Sequence, residues 1–285
     1  MRVNFINNNG RYQVSTQPAF SPDNRAFRYA DALFETMLWT NGRIRLVDYH
    51  SERLQNGLQT LQMTGWDRFS PAFLTEIAAG IIAKNEFEQT DCRLRLQVFR
   101  SGGGLYSPIS NEAHYVLSVE PFLGESDLHD PKTGLNIDLY TEQFKASSGL
   151  SALKSTNSLI FVLAGLYRKN KGLDEVILLN EAGMICESMS SNIFVAFEGR
   201  LYTPALSEGC VAGVMRRKVL ELAALMDIEI TEAKIDPSTL EEADEVFLTN
   251  AVRGIQWVMG YRQKRYFKKW TKIFREALAY ETEHI

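Results

Sequence analysis

Four short apolar segments follow one another in the second half of the chain: DEVILLN, MICES, NIFVAF and RLYTP, between residues 174 and 204. Runs of this length, rich in β-branched and aromatic residues and separated by turn residues, are typical of β-strands. The turn residues Glu181 to Gly183 join the first two segments, which predicts a hairpin. This half of the chain therefore has to build a sheet, and its helices have to pack on that sheet.

Segments with helical periodicity flank these strands. A helix is predicted before the strands, over LKSTNSLIFVLAGLYRKNKG, and it ends at Gly172. A second helix begins directly after Gly213, in AGVMRRKVLELAALM, and a third closes the chain, over KKWTKIFREALAYE. The first helix carries an apolar stripe on one side: Leu159, Val162, Leu163 and Leu166. The last helix carries a second stripe on one face: Trp270, Ile273, Phe274 and Leu278.

The first half of the chain predicts a smaller mixed domain. RIRLVDYH indicates a strand that leads into a helix over SERLQNGLQTLQMTG, which Gly65 can end. PAFLTEIAAGIIAKN is a second helix, and RLRLQVFR alternates polar and apolar residues as a half-buried strand does. Gly, Pro, Ser and Asp are concentrated in FLGESDLHDPKTGLN, so we place a linker at 123–133. The linker separates a small N-terminal α/β domain (1–122) from a larger C-terminal sheet-and-helix domain (134–285). The expected fold class is α+β or α/β with two domains.

Composition excludes several classes of protein. The 285 residues are 45% hydrophobic and 23% charged, which is ordinary for a globular protein and excludes collagen and disordered scaffolds. The 31 basic and 35 acidic residues leave a formal charge of −4, so we expect no general attraction to nucleic acid. Three widely spaced cysteines predict buried, reduced thiols in a cytoplasmic protein. We expect neither a signal peptide nor a membrane span, because no run approaches about 18 apolar residues.

The compact motifs of several enzyme classes are absent from the sequence. The four histidines lie far apart without a helical pair, so no metal site is predicted. G-x-S-x-G and Walker A patterns do not occur, and Gly102 to Gly104 do not form a dinucleotide-binding motif. Basic residues surround the start of the last helix, and we interpret them as a solvated face rather than a phosphate-binding stripe: Arg262, Lys264, Arg265, Lys268, Lys269 and Lys272.

The remaining candidates for chemistry are spread along the chain. They are a lysine before an apolar helix, an acid about thirty residues later on a short strand, and a glycine that opens a later helix. Lys154 stands among small and polar residues in GLSALKSTNS. A lysine that faces a partly apolar pocket loses its charge more easily, which suits a Schiff base or a proton shuttle. Taken alone, a lysine in such a segment is most often a surface residue.

Taken in order, these segments resemble the class IV (fold type IV) pyridoxal phosphate enzymes, which include branched-chain and D-amino-acid aminotransferases and 4-amino-4-deoxychorismate lyase. The resemblance rests on YADALFET followed by NGRIRLVDYHSERL, on LKSTNSL, on DEVILLNEAGMICESMSSNIFVAFEGRLYTP, on AGVMRRKVLELA and on ADEVFLTNAVRGIQWV. These segments cover most of the chain in the family's order and spacing. The resemblance implies a D-amino-acid-aminotransferase-like fold, pyridoxal 5′-phosphate as the cofactor, and a small amino substrate that carries carboxylates.

The resemblance also implies roles for single residues. Lys154 matches the lysine that binds the cofactor aldehyde as an imine and then acts as general base and acid. Glu187, in ICESMSSNIF, matches the acid that keeps the pyridine nitrogen protonated. Arg53, in HSERL, matches a phosphate-binding arginine, whose planar fork suits two phosphate oxygens. Ser191 and Asn192 follow the acid and are candidates for cofactor contacts, although turn formation is an equal alternative.

Two further segments match the family's phosphate contacts. Val214 and Met215 follow a glycine that opens a helix, where backbone N–H groups and the positive end of the dipole receive an anion. The loop Thr249, Asn250 and Ala251 corresponds to another contact. Many aminotransferases carry a threonine where Ala251 stands, so this contact is expected from the backbone or from Thr249.

Three loops favour the lyase over the aminotransferases. GVMR resembles the lyase form of the phosphate loop, TNAVRGIQWV resembles its asparagine-alanine loop, and RSGGGLYSP resembles a glycine-rich loop at the edge of the lyase site. This last loop is one residue shorter than the lyase pattern and lacks its second arginine. Aminodeoxychorismate carries two carboxylates, and the residues predicted to bind substrate are Phe34, Arg93, Arg95, Arg100 and Tyr106.

The first hypothesis is therefore a lyase that releases pyruvate from 4-amino-4-deoxychorismate and leaves 4-aminobenzoate, the aromatic unit of folate. The second is an amino acid aminotransferase of the branched-chain type, because LFET and ESMSSNIF are shared with that group. The third is a protein that binds the cofactor without useful turnover. The resemblance also implies a homodimer in which each site is completed by a loop of the other subunit.

Overall fold

The computed structural model of the chain describes residues 4–122 and 133–284, which divide into two compact units. The first unit contains residues 4–122 together with 153–157, and the second contains residues 133–152 and 158–284. The sequence predicted that residues 134–285 form the second domain, whereas residues 153–157 belong to the first unit. The predicted linker lies outside the described residues except for residue 133.

The N-terminal unit is built on an antiparallel sheet whose six described strands run in the order β2–β1–β6–β5–β3–β4. The strands are β1 (Phe5–Asn8), β2 (Arg11–Val14), β3 (Ala32–Thr40), β4 (Arg43–Ile44), β5 (Cys92–Arg100) and β6 (Ala113–Pro121). The helices are α1 (Arg25–Tyr29), α2 (Val47–Thr60) and α3 (Pro71–Lys84). The strand expected from RLRLQVFR is β5, and the helix expected from PAFLTEIAAGIIAKN is α3; both are confirmed.

The alternation of apolar and polar residues along β5 decides which face of this sheet the helices α2 and α3 pack against. Leu94, Leu96 and Val98 are fully buried in a core that Leu58 of α2 and Ile81 of α3 complete. Truncating one of these leucines to alanine would cost about 2–5 kcal/mol of stability. The polar residues between them lie on the opposite face of the sheet, as the period of two requires.

The helix α2 begins earlier than the sequence indicates. RIRLVDYH predicted a strand, but only two of its residues are extended, as β4, and the helix starts at Val47. Leu46 has a left-handed φ of 57°, which ends the extended conformation, and Asp48 favours the helix N-terminus. The helix ends at Thr60, and Gly65, with a φ of 73°, precedes a 3₁₀ turn instead of ending α2.

The C-terminal unit contains a larger mixed sheet. Its described strands run in the order β12–β11–β10–β13–β14–β7–β8–β9, with β15 paired to β14, and the pairs β11–β12, β14–β7 and β7–β8 are parallel. The strands are β7 (Leu135–Lys145), β8 (Glu175–Asn180), β9 (Ile185–Ser188), β10 (Asn192–Phe197), β11 (Arg200–Pro204), β12 (Ile230–Ala233), β13 (Glu245–Asn250), β14 (Gly254–Tyr261) and β15 (Lys264–Arg265).

The helices of this unit are α4 (Leu159–Lys171), α5 (Val214–Leu225), α6 (Thr239–Glu242) and α7 (Lys269–His284). The four strands expected between residues 174 and 204 are β8 to β11, and the expected hairpin joins β8 to β9 through Gly183, whose φ is 76°. The helix predicted after Gly213 is α5. The expected apolar face of α7 is confirmed by buried Phe274, whose ring lies 5.9 Å from that of Phe247.

The structure turns the apolar stripe of α4 toward solvent. Ala164 faces the sheet and is fully buried, whereas the stripe is 40–69% exposed: Leu159, Val162, Leu163 and Leu166. Residues 153–158, which the sequence included in this helix, are not helical. None of the helices in the described residues has both the length and the apolar composition that crossing a membrane requires.

Candidate cofactor-binding and active site

Lys154 lies on a short extended segment that pairs with β3 in the N-terminal unit. The Phe34 N–H donates to the Lys154 carbonyl at 2.9 Å, and the Thr156 N–H donates to the Ala32 carbonyl at 3.0 Å. The Thr156 hydroxyl also donates to the Ala30 carbonyl at 3.0 Å. These hydrogen bonds satisfy backbone groups of the segment, which explains why it extends along β3 instead of joining α4.

Two cations lie over the ring of Phe34. Lys154 Nζ is 4.6 Å from the ring centroid, and the guanidinium carbon of Arg95 is 4.1 Å from it, both within cation–π range. Burial lowers the pKa of Arg95, and the positive charge of Arg93 lowers it further. Within the part of the chain that the structure describes, no carboxylate forms an ion pair with Arg95. The structure thus brings together three residues that the sequence singled out separately.

The other residues predicted to bind substrate have different surroundings. Arg93 is exposed and lies 3.4 Å from a surface glutamate. Arg100 is buried and donates to Asp31 at 2.9 Å and to Asn111 at 2.6 Å, so its guanidinium holds loops together. Tyr106 is 89% exposed at the end of the glycine-rich loop. Of the three arginines considered for substrate, Arg95 therefore has the surroundings that best suit an incoming carboxylate.

Arg53 is held by a buried acid on β3. Its Nε donates to Glu35 Oε1 at 2.8 Å, and its Nη2 donates to the other carboxylate oxygen. His50, on the same helix, bonds Glu35 Oε2 through Nδ1 at 2.6 Å. Burial alone would raise the pKa of Glu35, but the charges and hydrogen bonds of Arg53 and His50 lower it to about 2. Glu35 is therefore ionised at neutral pH and fixes the guanidinium of the predicted phosphate ligand.

His50 makes the stability of this unit depend on pH. Burial lowers the pKa of His50 below its usual 6.5, and Nε2 is buried without a hydrogen-bond partner among the described residues. As the pH falls through 6.5 the unfolded chain binds a proton here, whereas the folded chain does so only at lower pH. Stability is therefore lost on acidification. We expect the free energy of unfolding to fall by up to about 1.4 kcal/mol per pH unit from this group.

Urea unfolding at a series of pH values between about 7.5 and 5.5 measures this effect. His50→Asn keeps a donor toward Glu35 but does not titrate, so its free energy of unfolding should change less with pH. His114→Asn is the matched control, because His114 is partly exposed, and it should keep the wild-type pH dependence. The same slope in the wild type and in His50→Asn would contradict the expectation.

In the C-terminal unit, Glu187 shares its carboxylate between two donors. Lys145, at the end of β7, donates to Oε1 at 2.5 Å, and the Val211 N–H donates to Oε2 at 3.0 Å. Lys145 also donates to the Gly209 carbonyl at 2.6 Å. The Lys145 and Glu187 side chains are only 11% and 5% exposed. The predicted pyridine acid is thus held by a lysine that the sequence analysis did not identify.

The N-terminus of α5 lies close to this acid. Gly213 caps the helix without a side-chain hydrogen bond, so the N–H groups of the first turn, including those of Val214 and Met215, have no side-chain cap. Asn192 fills the space beside the cap, where a Cβ on Gly213 would fall 1.9 Å from Asn192 Oδ1. The side chains of Val214 and Met215 are buried, which leaves their backbone N–H groups as the available contacts for an anion.

Thr249 adds a hydroxyl to this region. It lies on β13 directly opposite Asn192 of β10. Residues opposite each other in an antiparallel pair face the same side of a sheet, so the hydroxyl lies on the face that Asn192 presents to α5. Thr249 Oγ1 is buried without a hydrogen-bond partner among the described residues. A buried hydroxyl of this kind, close to an uncapped helix N-terminus, suits a phosphate oxygen.

These contacts fit pyridoxal phosphate. The Val211 N–H binds Glu187, the Asn192 amide donates to the Val211 carbonyl at 2.9 Å, and Gly213 follows two residues later. A chain segment of this length spans at most about 10 Å. An acid and an anion site at such a separation match a pyridine nitrogen and a phosphate carried on the same ring.

Ser191, Asn250 and Ala251 form the neighbouring loops. Asn250 Nδ2 donates to Ser191 Oγ at 2.9 Å, and Asn250 Oδ1 accepts from the N–H groups of Val252 at 3.0 Å and Arg253 at 2.7 Å. The Asn250 side chain therefore closes the turn that follows β13 and ties it to the loop after β9. This favours the turn-forming role that the sequence left open for Ser191.

The described residues contain no cluster of three or more histidine, cysteine or acidic side chains suited to a metal ion. The three cysteines are buried and form no disulfide in the structure.

A family model described as amino-transferase class IV matches residues 32–260. The chain belongs to the class IV aminotransferase family. It is therefore an enzyme, and membership of the family supports pyridoxal phosphate as its cofactor.

Two curated relatives show the range of reactions in this family. The aminodeoxychorismate lyase of Bacillus subtilis is 28% identical over 246 residues, which cover 86% of this chain and 82% of the relative. A probable branched-chain-amino-acid aminotransferase of Thermotoga maritima is 31% identical over 186 residues, which cover 65% and 62% of the two chains. The similar proteins thus include both a lyase and an aminotransferase.

Solved structures confirm the predicted fold type IV architecture. The 4-amino-4-deoxychorismate lyase of Pseudomonas aeruginosa is 28% identical with a TM-score of 0.80, covering 92% of this chain and 95% of the other. An aminotransferase from Brucella abortus, solved with bound PLP, is 18% identical with a TM-score of 0.83, and the match covers 100% of both chains.

Proposed function

We propose that this enzyme is a pyridoxal-phosphate-dependent lyase that converts 4-amino-4-deoxychorismate into 4-aminobenzoate and pyruvate. The observation that carries the proposal is the arrangement of Arg95 and Lys154 over Phe34. The Arg95 guanidinium can bind a substrate carboxylate close to Lys154, because both cations lie over the same ring. The similarity to lyases over most of the chain supports the same reaction.

Each candidate residue has a physical task in this reaction. When bound, pyridoxal phosphate supplies an electron sink, which takes the electron pair that remains when the carbon carrying the substrate amine loses its proton. Lys154 takes that proton at Nζ. In the C-terminal unit, Glu187 would accept a hydrogen bond from the pyridine nitrogen, and the N-terminus of α5 would bind the phosphate. In the N-terminal unit, Arg53 is the candidate phosphate ligand that the resemblance implies.

The elimination balances without a further reactant. The substrate loses the proton beside its amine, and the carbon–oxygen bond to the enolpyruvyl group breaks as the ring becomes aromatic. The enolpyruvate that leaves takes up a proton and becomes pyruvate.

Incubation of the purified holoenzyme with 4-amino-4-deoxychorismate alone tests the proposal. 4-Aminobenzoate, followed by its fluorescence, and pyruvate, followed by coupling to lactate dehydrogenase, should appear in equal amounts. Absence of both products at micromolar enzyme would end the proposal.

Arg95→Gln should weaken substrate binding. Loss of one charge-assisted hydrogen bond costs about 1.5–3 kcal/mol, so we expect the KM to rise about 10- to 100-fold. Arg93→Gln is the matched control, because Arg93 lies on the same strand but is exposed and paired, and its KM should stay close to that of the wild type. A larger effect at Arg93 than at Arg95 would reassign the substrate carboxylate.

An amino acid aminotransferase is the second candidate. Among the arginines of β5, Arg93 and Arg100 are already paired with acids, which leaves Arg95 for a substrate with a single carboxylate. The similarity to a branched-chain aminotransferase supports this alternative. Conversion of the bound cofactor to its amine form by a simple amino acid, and its return with 2-oxoglutarate, would identify this reaction. Failure across a broad panel of amino acids would remove it.

We also propose that the enzyme is a homodimer that uses the exposed stripe of α4. A contiguous apolar patch of this kind on a helix is typical of an interface. Leu163→Glu places a charge in the stripe and should weaken dimerisation about 100-fold or more, which light scattering coupled to size-exclusion chromatography measures. Leu225→Glu is the control, because Leu225 is 77% exposed on α5 and outside the stripe. A wild-type protein of monomeric mass would contradict the expectation.

A further inference from the structure

The C-terminal unit contains a buried lysine–acid pair whose lysine has no task in the proposed reaction. Lys145 Nζ lies 2.5 Å from Glu187 Oε1 and 2.6 Å from the Gly209 carbonyl oxygen, and a weaker contact to the Ser151 carbonyl oxygen measures 3.5 Å. The ammonium group thus points all three of its N–H bonds at acceptors of the protein. It has no donor left for a ligand.

The pair also fixes Glu187 in a single orientation. One carboxylate oxygen accepts from Lys145 and the other accepts from the Val211 N–H at 3.0 Å. A carboxylate held at both oxygens cannot rotate without breaking a charge-assisted hydrogen bond. The two charges also offset each other in a site with little solvent, where electrostatic interactions are stronger than in water.

We propose that Lys145 is a positioning residue of the cofactor site, which aims the Glu187 carboxylate and offsets its negative charge. The proposal rests on the role of Glu187 toward the pyridine nitrogen given above. An acid that is already paired attracts a proton on the cofactor less strongly than a lone carboxylate does. Lys145 therefore lowers the pKa of the bound cofactor. It acts through Glu187 and does not contact the cofactor itself.

Other ionisable side chains near the pair are two thiols, a carboxylate and a guanidinium: Cys186, Cys210, Glu208 and Arg216. Burial raises the pKa of Cys210 to about 11 and raises that of Cys186 further above its usual range, so both thiols are neutral in a neutral-pH assay. The Glu208 carboxylate accepts a hydrogen bond from the Asn180 amide, and the Arg216 guanidinium pairs with Glu232. Lys145 is therefore the cation that binds Glu187 directly.

Three substitutions separate charge from hydrogen bonding at this position. Lys145→Arg keeps both the charge and the donors, Lys145→Gln keeps a donor without the charge, and Lys145→Met removes both. The measurement is the pH midpoint of the visible absorbance of the holoenzyme, in which the cofactor is bound to Lys154. Removing a nearby cation favours the protonated cofactor, so the midpoint should rise by about one pH unit in Lys145→Gln and Lys145→Met. Lys145→Arg should stay within a few tenths of a unit of the wild type.

Repeating the titration in a Glu187→Gln background tests whether the effect passes through Glu187. The shift caused by Lys145→Gln should then shrink to less than half, as expected for coupled residues. A lysine that only tethers β7 to the neighbouring loop would lower the melting temperature without raising the midpoint.

The outcomes are distinct. An unchanged midpoint in both uncharged variants overturns the inference, and so does a shift of equal size in the Glu187→Gln background. If Lys145→Met does not fold, Lys145→Gln carries the same test. A wild-type protein that shows no visible absorbance after reconstitution would refute the proposed function itself, whereas an unshifted variant of a coloured wild type refutes only the role of Lys145.

Discussion

Lys154→Ala is expected to abolish turnover and to leave the protein unable to bind the cofactor covalently. An alanine has neither the amine that joins the cofactor aldehyde nor the base that removes the substrate proton. Borohydride reduction of the reconstituted wild type, followed by peptide mass mapping, should fix the label at Lys154. The same treatment of Lys154→Ala should give no label.

Two further variants make this result specific. Lys154→Arg keeps a cation over the Phe34 ring but cannot form the covalent bond, so it should be as inactive as Lys154→Ala. Lys171→Ala, an exposed lysine at the end of α4, should keep both turnover and labelling. A label on any other lysine of the wild type would remove the basis of the proposed function.

Gly213→Ala is expected to weaken binding of pyridoxal phosphate about 100-fold. The new methyl group would lie 1.9 Å from Asn192 Oδ1, so Asn192 or the start of α5 has to move. Such overpacking costs about 1–3 kcal/mol and displaces the N–H groups that are proposed to hold the phosphate. The dissociation constant of the apoprotein for pyridoxal phosphate measures the effect.

Gly149→Ala is the matched control for this substitution. Gly149 has no atom within 4 Å of an added Cβ and no left-handed φ, so the variant should bind the cofactor as the wild type does. Wild-type affinity in Gly213→Ala would show that the N-terminus of α5 does not bind the phosphate. Thermal unfolding of both variants separates loss of the site from loss of the fold.

Much of the fold followed from local patterns. The alternation in RLRLQVFR predicted β5 and its two faces, and the turn at Gly183 predicted the hairpin of β8 and β9. The glycine before α5 was located correctly, because a helix start has a local signature in the sequence. Such features depend on neighbouring residues, so they can be recognised without knowledge of the tertiary structure.

The partners of the predicted site residues could not be found in this way. Glu35 stands in LFET and Lys145 in FKASS, and neither residue has a spacing that connects it to Arg53 or to Glu187. The ion pairs form because β3 runs beside α2 and because β7 ends near β9. Packing of α2 against β3 creates the first contact, and the order β7–β8–β9 in the sheet creates the second. Sequence periodicity carries no information on either.

Burial was also decided by the tertiary structure. The spacing of the apolar residues in α4 suits a core-facing stripe, but the sheet contacts the side of the helix that carries Ala164. The alternation along β5 places Arg93 and Arg95 on one face and Arg100 on the other, so the sequence distinguishes Arg100 from the other two but does not distinguish Arg93 from Arg95. The tertiary structure shows that Arg93 and Arg100 each pair with an acid. Arg95 has no acidic partner among the described residues, and burial lowers its pKa.

The sequence by itself determined the family, several of the strands and helices (β5, β8 to β11, α3 and α5), and the residue types available for chemistry, since motifs and periodicity are local properties of a chain. Only the tertiary structure decided that Lys154 pairs with β3, that Glu187 is shared with Lys145, and that Arg95 stands over Phe34. These are contacts between segments distant in sequence, and their geometry depends on how whole strands and helices pack.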